Sequence, residues 1–537
     1  MMRDFDYVIV GAGAAGCVLA NRLSANPAVS VALLEAGGSD KHPFIQMPKG
    51  LAKVMQDPKR TWQYTTDPES GTAFQSEVWA RGRLLGGSSS VNGMMYVRGQ
   101  PADFDELAQV SSDDWSWKHI GAAYRALEAH ELGQSETRGD SGPLRLTLSD
   151  RRTPLTEAMI AAGSALGLAR KEDVNDPDNA PCVGYASRTI WRGRRQSAAT
   201  AFLDPVSGRR NLHVISNATV DKIRFEGRRA VAVEVVDAAG AAPVIYRAHK
   251  EIILAGGTMA SPGMLQRSGI GPGELLAQLG IAVLHDSPEV GQNLREHRGI
   301  IQQWRLKVPL SDNAEYAGFP LLRNLFRYYT SRSGAMASAA YEVGLWLKSN
   351  TAVPRPDIQF LVAPFSFDYS THRTALESLP GMGIVGYPLR PTSRGEINIR
   401  SRNPLETPAL RPNYRVTPED QALMIRTVQL AREFARQAPL QPFIQSETFP
   451  GDMCVSDDDI VAAYDRFGTC GYHAVGSCRM GADAVSVVDP ALRVRGVKGL
   501  RVVDASIFPR VPSGNTNGPT MAMAWRAADI ILRDNAN

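Results

Sequence analysis

A glycine-rich turn near the start of the chain constrains its fold more than any other feature. The apolar run YVIV, residues 7–10, precedes GAGAAG, residues 11–16, and an apolar stripe with Val18, Leu19 and Leu23 follows. The run is typical of a buried parallel strand. In such a unit the first glycine allows a tight turn, the second lets a pyrophosphate approach the backbone, and the third lets the helix pack on the strand. The pattern therefore predicts an α/β dinucleotide-binding fold.

An acidic residue stands where such a fold needs one. A second predicted strand, residues 29–34, ends at Glu35, nineteen residues after Gly16. A carboxylate at that spacing can accept hydrogen bonds from the adenosine ribose hydroxyls, and it would repel a 2′-phosphate. The free N–H groups at the start of the intervening helix would face the phosphates. We therefore expect this turn to bind the ADP part of a dinucleotide.

A second glycine cluster indicates which dinucleotide is bound. Residues 86–90, GGSSS, offer backbone N–H groups and hydroxyls at a predicted helix start, which form a second binding site for an anionic or polar group. An NAD enzyme with one nucleotide fold has no obvious need for this second site. A flavin dinucleotide does, because its isoalloxazine must be held far from its adenine. The two clusters together favour FAD.

Beyond these turns, long segments of the chain resemble the glucose–methanol–choline (GMC) oxidoreductases, a family of FAD enzymes. The resemblance runs from residue 5 to about residue 533, and it is greatest to bacterial choline-dehydrogenase-like and primary-alcohol dehydrogenases. It is carried by residues 82–92, 257–271, 290–297, 393–404, 502–509 and 515–520. It implies a Rossmann-like FAD-binding α/β domain and an α+β substrate-binding cap with an antiparallel sheet.

We expect both parts to be discontinuous in sequence. The FAD-binding domain is predicted from residues 1–152, 196–300 and 466–537, and the cap from residues 153–195 and 301–465. Residues 395–400 alternate apolar and polar side chains, which is typical of a half-exposed antiparallel strand and of the cap sheets of this family.

The resemblance also implies which residues contact the cofactor. They are Gly11, Gly13, Ala14, Ala15, Gly16, Glu35, Ala36, Arg83, Gly86, Gly87, Ser88, Asn92, Gly93, Val220, Asp504, Ala505, Asn517, Pro519 and Thr520. Family members with covalently attached FAD can carry a histidine where this chain has Val91. Valine offers no nucleophile, so we predict noncovalent FAD.

The stretch GTCGYHAVGSCRM, residues 468–480, crowds Cys470, His473 and Cys478 into one loop. A metal site would need a fourth ligand, but no CxxC occurs and no second Cys/His pair lies nearby in the sequence. We therefore predict no metal. A neutral imidazole can instead take the proton of an alcohol at working pH. In the family, the histidine of this loop does so, which assigns the base to His473.

Three further residues complete the predicted site. The resemblance places an alkoxide-stabilising residue at Asn515, with Asn517 as the alternative, since an amide can donate to the substrate oxygen. Glu342 stands where some relatives place a carboxylate facing the substrate, and such a group could attract a quaternary ammonium. Tyr472, next to His473, is the other substrate candidate.

Composition excludes several classes of protein. The 59 basic and 55 acidic residues give a net charge of only +4 without a basic run, so we expect no nucleic-acid partner. Five scattered cysteines argue against a disulfide framework, and no apolar run suits a membrane span or a signal peptide. We expect a cytoplasmic protein. Residues 320–329, PLLRNLFRYY, favour an ordinary surface helix but leave open peripheral contact with the inner face of the membrane.

The expected activity is the oxidation of an alcohol, primary and aliphatic or aromatic, to an aldehyde. Hydride would pass to flavin N5, His473 would take the proton, and a quinone-type acceptor or O2 would reoxidise the flavin. The family also includes alcohol oxidases that use O2 and hydroxynitrile lyases that hold FAD without redox turnover, and these are the alternatives. The sequence makes no prediction of oligomeric state.

Overall fold

The first apolar run, residues 7–10, belongs to a strand inside a seven-stranded sheet.

The computed structural model describes residues 2–236, 243–369 and 375–535. Its helices are α1 (Ala14–Leu23), α2 (Pro43–Gln46), α3 (Leu51–Met55), α4 (Pro101–Val110), α5 (Trp117–Leu127), α6 (Pro154–Ala165), α7 (Gly257–Arg267), α8 (Gly273–Gln278), α9 (Gly318–Ser331), α10 (Pro418–Ala435), α11 (Asp457–Phe467) and α12 (Asn517–Asp534).

Strands, most of them short, lie between these helices along the chain. They are β1 (Met2–Val10), β2 (Val31–Leu34), β3 (Thr61–Thr65), β4 (Val78–Gly82), β5 (Glu128–His130), β6 (Leu144–Leu148), β7 (Ala169–Arg170), β8 (Cys182–Tyr185), β9 (Ser187–Arg188), β10 (Ile190–Trp191), β11 (Arg194–Arg195), β12 (Leu212–Ile215), β13 (Thr219–Glu226), β14 (Arg229–Val236), β15 (Val244–Leu254), β16 (Ile270–Gly271), β17 (His285–Asp286), β18 (Arg298–Leu306), β19 (Val343–Leu347), β20 (Ile358–Ala363), β21 (Gly381–Pro388), β22 (Glu396–Asn398), β23 (Ala409–Arg411), β24 (Ile444–Phe449), β25 (Thr469–Cys470) and β26 (Leu500–Val502).

The seven-stranded sheet has the parallel core of a nucleotide-binding fold. Its order is β12-β2-β1-β15-β14-β13, with β26 also paired to β15. β12, β2, β1, β15 and β26 run parallel, whereas β14 and β13 add an antiparallel hairpin. All four residues of β2 are buried, because helices cover both faces of such a sheet. This confirms the predicted Rossmann-like domain.

The second sheet forms the cap. Its order is β24-β18-β21-β20-β19-β8-β7, with β25 also paired to β18, and these neighbours are antiparallel except β7 and β8. Side chains from α6 and α10, among them Met159 and Phe434, share one apolar cluster with Phe360 and Ile384 of the sheet. This confirms the predicted antiparallel cap.

The predicted bounds of the two domains stay a prediction, and two strands of the cap sheet reach across them. β18 crosses the boundary drawn at residue 300, and β25 of the cap sheet lies beyond residue 465. The strand predicted within residues 395–400 forms as β22, half-buried and antiparallel, but it pairs with β23 in a separate ribbon. Ile397 of that ribbon packs in an apolar cluster with Met259 of α7. The alternating pattern therefore predicted a half-exposed antiparallel strand correctly, but it did not predict the sheet to which that strand belongs.

The segment PLLRNLFRYY folds as part of α9, on the surface of the cap. Leu321 and Leu325 pack beneath this helix, whereas Phe319 and Phe326 remain exposed. Within residues 2–236, 243–369 and 375–535, none of the helices combines the length and the apolar character that crossing a bilayer requires.

Candidate active site

The carboxyl ends of the parallel strands meet at one edge of the first sheet. Val10 lies opposite Leu34 of β2 and opposite Leu254 of β15. Gly11 and Glu35, the residues that follow β1 and β2, therefore emerge side by side. In open parallel sheets ligands bind at this edge.

A cavity of about 520 Å³ runs from this edge to the cap sheet. Of the residues assigned from the sequence, it is lined by Gly11, Gly13, Ala14, Ala15, Glu35, Ala36, Gly87, Ser88, Asn92, Gly93, Val220, Asp504, Ala505, Asn517 and Thr520, together with Tyr472, His473 and Asn515. The structure does not bring Gly16, Arg83, Gly86, Pro519 or Glu342 to its surface.

The two glycine turns touch each other and leave bare backbone facing the cavity. A Cβ on Gly13 would meet no atom within 4 Å, whereas one on Gly87 would lie 2.7 Å from the Gly13 Cα. A Cβ on Gly16 would lie 1.9 Å from the Gly11 carbonyl oxygen, so Gly16 serves helix–strand packing. Gly87 adopts a φ of +53°, which favours glycine. This bare cradle fits the diphosphate of FAD.

Glu35 is held by the backbone beside that cradle. Its Oε2 accepts from the Ala12 N–H and its Oε1 from the Gly37 N–H, both at 2.9 Å. Burial raises the pKa of Glu35 to about 7, against the effect of these two N–H groups. Each oxygen keeps a second lone pair, so the carboxylate can still accept from ribose hydroxyls.

Asp504 holds another part of the cavity wall in place. Its Oδ2 accepts from the Gly257 N–H at 2.9 Å and from the Ser261 hydroxyl at 2.6 Å, and its Oδ1 accepts from the Ser506 N–H at 2.8 Å. Burial raises the pKa of this carboxyl. The residue therefore joins the start of α7 to the loop after β26, and both line the cavity.

A buried cation supports the second glycine turn from behind. The Arg195 guanidinium donates to the carbonyls of Ile45, Ser89 and Asn92 at 3.0, 3.2 and 2.7 Å, and to Asn92 Oδ1 at 2.8 Å. Asn92 Oδ1 also accepts from the Met94 N–H at 3.0 Å. Because this oxygen is occupied, the Asn92 amide is left to donate towards the cavity.

His473 lies at the far end of the cavity, and its hydrogen bonds fix its tautomer. Its Nδ1 is 3.0 Å from His297 Nδ1, and His297 Nε2 is 2.8 Å from the Leu389 carbonyl oxygen. A carbonyl only accepts, so a neutral His297 carries its proton on Nε2 and accepts at Nδ1. His473 must then donate from Nδ1. The lone pair of His473 Nε2 consequently faces the cavity, where it accepts from the Asn515 amide nitrogen at 2.9 Å.

Burial keeps both imidazoles uncharged. It lowers the pKa of His473 well below the ordinary value, and the neighbouring His297 and Arg81 lower it further. Burial also lowers the pKa of His297 to about 4. His473 is therefore a neutral acceptor at physiological pH, which is the form that a general base requires.

A buried carboxylate orients the loop that carries His473. Glu296 Oε1 accepts from the backbone N–H groups of His473 and His297, at 2.7 and 2.8 Å. Its Oε2 lies 3.5 Å from Arg81 Nη2. Burial raises the pKa of Glu296 to about 7, and Arg81 opposes that rise. One side chain thus ties the two histidine backbones together.

The cap closes the cavity with apolar and aromatic side chains. Those it contributes from the cap sheet and the segment before β19 are Ile301, Ala340, Tyr341, Leu361, Val385 and Tyr387. Successive side chains of an extended segment point to opposite sides, so Tyr341 faces the cavity and Glu342 faces away. Glu342 is buried and accepts from the Ser149 hydroxyl. This placement does not support a substrate role for Glu342.

Tyr472 sits at the cavity wall with 37% of its surface exposed. Its backbone has a φ of +62°, and its carbonyl accepts from Arg81 Nη1 at 2.7 Å. The strained turn at Tyr472 directs the next residue, His473, inward.

The two cysteines of this loop belong to different surroundings. Cys470 packs beside Trp79 and Ala474, whereas Cys478 lies in the core of the nucleotide-binding domain. In the part of the chain that the structure describes, no group of three His, Cys, Asp or Glu side chains is placed to hold a metal. Both cysteines are buried, and burial raises the pKa of each thiol.

Sequence reasoning assigned no role to His297, Glu296, Arg81 or Arg195. Residues 290–297 resembled a family segment, and that was the available signal for Glu296 and His297. Arg81 and Arg195 carried no motif of their own, since their partners are distant in the chain.

Comparisons with known proteins agree with this geometry. Family models described as GMC oxidoreductase match residues 5–298 and 391–524. An alcohol dehydrogenase [acceptor] of Pseudomonas putida is 38% identical over 533 residues, 98% of this chain and 96% of that protein. An oxygen-dependent choline dehydrogenase of Brucella suis biovar 1 (strain 1330) is 37% identical over 531 residues, again 98% and 96%. The crystal structure of pyridoxine 4-oxidase from Mesorbium loti is similar, with a TM-score of 0.87, 32% identity and 98% of each chain covered. The chain therefore belongs to the GMC oxidoreductase family.

Proposed function

We propose that this enzyme oxidises an uncharged primary alcohol to the aldehyde, with His473 as the base. As a GMC oxidoreductase it is an FAD-dependent enzyme acting on CH–OH donors. The observation that carries the finer proposal is the lone pair of a neutral His473 Nε2, which faces the cavity and accepts from the Asn515 amide nitrogen at 2.9 Å.

FAD, when bound, supplies the acceptor for the hydride that leaves the alcohol carbon. His473 Nε2 takes the hydroxyl proton, so the alcohol loses a hydride and a proton and becomes the aldehyde. Asn515 donates from its amide nitrogen to the substrate oxygen as negative charge develops there. The incoming hydroxyl takes the place of the Asn515 N–H at the His473 Nε2 lone pair, and the amide nitrogen then donates to the substrate oxygen. His297 and Glu296 keep the base in place.

The cap side of the cavity favours an uncharged substrate. Among the described residues, the strands of the cap sheet bring no carboxylate to the cavity, and Glu342 points away from it. Glu406, which lies outside those strands and lines the cavity, is exposed to solvent and accepts from the Ser401 hydroxyl. Burying a quaternary ammonium without a counter-ion is costly. The aromatic faces of Tyr341 and Tyr387 suit an aliphatic chain or an aromatic ring. We therefore place aliphatic and aromatic primary alcohols ahead of choline.

The two electrons leave to an external acceptor, a quinone-type compound or O2. One relative is named alcohol dehydrogenase [acceptor] and another oxygen-dependent choline dehydrogenase, so these names support an external acceptor of either kind. Noncovalent attachment of FAD agrees with Val91, a cavity-lining residue without a nucleophile. The cytoplasmic location stays a prediction from the sequence.

Anaerobic mixing of the holoenzyme with a panel of alcohols tests the proposal. Butanol or benzyl alcohol should bleach the flavin absorbance, and choline at the same concentration should do so at least roughly tenfold more slowly. Fast bleaching by choline alone would contradict the substrate assignment. Failure of every alcohol, together with cleavage of a cyanohydrin, would make the protein a hydroxynitrile lyase instead.

A further inference from the structure

Helix α9, Gly318–Ser331, exposes a row of large apolar side chains on the surface of the cap. Phe319 is 76% exposed, Leu322 63%, Phe326 72% and Tyr329 55%. Their spacing of three, four and three residues places them on one face of the helix. We call these four residues the α9 stripe. So many large apolar side chains exposed together are unusual on the surface of a monomer, and such a patch marks an interaction site.

The stripe is not the face that holds the helix on the protein. Leu321, Leu325 and Tyr328, on an adjoining face, pack against Met47 and Met336. The helix is therefore anchored without the stripe. Polar substitutions in the stripe should leave the fold intact, since these side chains gain little from the folded state.

The charged residues of α9 and its C-terminal end are all arginines. Helix α9 contains no acidic residue, and Arg323 and Arg327 lie on the side of the stripe away from the buried face, with Arg332 at the C-terminal end. Glu315, before the helix, lies 3.1 Å from Arg323, whose side chain is 58% exposed. An apolar row beside arginines, with aromatic side chains among the apolar ones, is the composition of a helix that lies in a membrane interface.

We propose that the α9 stripe binds the surface of a membrane that contains anionic phospholipids. The aromatic rings would enter the boundary between headgroups and acyl chains, and the arginines would meet lipid phosphates. A second copy of the chain fits less well. A two-fold contact through this stripe would bring Arg323 and Arg327 towards the same residues of the other copy, where like charges repel.

The position of α9 connects this surface to the cavity. Met47, which α9 covers, lies in the segment that continues into α3, and Leu51 and Met55 of α3 line the cavity. Membrane binding would hold the cavity close to the bilayer, where quinone-type acceptors dissolve. That reading of the acceptor rests on the proposed function, whereas the binding itself does not.

Sedimentation of the full-length holoenzyme with lipid vesicles tests the proposal without any assay of activity. Vesicles with roughly 30% phosphatidylglycerol should bind the protein at least tenfold more tightly than phosphatidylcholine alone, and about 0.5 M salt should weaken binding. Phe319→Ser with Phe326→Ser should lower binding roughly tenfold or more. Arg323→Gln with Arg327→Gln should do the same for the anionic vesicles only. Met453→Ser, at a 91% exposed position outside α9, is the matched control and should bind as the natural protein does.

Two results would overturn the proposal. One is absence of sedimentation, or equal sedimentation with both kinds of vesicle. The other is a dimer in light scattering that the Phe319→Ser, Phe326→Ser variant converts to a monomer, which would assign the stripe to a second copy. Flavin absorbance and Tm show whether each variant is folded. If the phenylalanine variant is misfolded, the arginine variant tests membrane binding independently.

Discussion

His297 Nδ1 lies 3.0 Å from His473 Nδ1, and this contact decides which nitrogen of His473 can act as a base. Since His297 donates its own Nε2 proton to the Leu389 carbonyl, it can only accept at Nδ1 when neutral. The proposed base therefore owes its orientation to a residue 176 positions away in the chain.

Replacing His297 should slow flavin reduction without removing the cofactor. In His297→Phe the ring that stacks on Tyr387 is kept, but the His473 Nδ1–H loses its acceptor. An unpaired buried donor costs about 1–3 kcal/mol, so reduction by alcohol should slow roughly 10- to 100-fold. His297→Asn places an amide oxygen near the former Nδ1 and should recover most of the rate. Rapid-mixing measurements under anaerobic conditions compare the two, and equal rates in both variants would argue against a tautomer-setting role.

Local patterns predicted much of this structure. Gly11 adopts a φ of +105°, as the tight turn after β1 requires. Ser456 and Asp459 form a capping box at the start of α11, where the side chain of each accepts from the backbone N–H of the other. In both cases the information lies within a few residues, so the sequence alone suffices.

Long-range pairings could not be predicted in the same way. The contact of His297 with His473 depends on how β18 pairs with β25, where Arg298 lies opposite Cys470. Glu342 and Tyr341 exchange places if that part of the chain shifts by one residue, and nothing in the local pattern sets this register. Glu342, which the structure turns away from the cavity, and His297, which had no assigned role, both depend on such pairings.

The rate of flavin reduction should not titrate at the ordinary pKa of histidine. The neutral imidazole is the active form, so activity is lost as pH falls through the pKa of His473. Burial lowers that pKa well below 6.5, which moves the loss to more acidic solution. A plot of log reduction rate against pH should show no protonation of the base near pH 6.5. A decline centred there that disappears in His473→Ala would contradict a buried, uncharged base.

Arg195 should matter for retention of the cofactor. Its side chain is 1% exposed and donates to oxygens of Ile45, Ser89 and Asn92. Arg195→Met leaves these acceptors unpaired, and we expect FAD affinity to fall at least roughly tenfold. Arg195→Lys should retain part of it. Arg194→Met, at the exposed neighbouring position, is the control, and flavin content after gel filtration is the measurement. Full flavin content in Arg195→Met would show that the loop does not need this support.

The central claim is that His473 takes the substrate proton, and single-turnover reduction of the flavin in His473→Ala tests it most directly. FAD content should stay normal, because the residues proposed to bind the cofactor are the two glycine turns and Glu35, which the substitution leaves unchanged. Reduction by a primary alcohol should slow by roughly 10²- to 10⁴-fold. Reduction at a near-normal rate by a fully flavin-loaded His473→Ala protein would contradict the account.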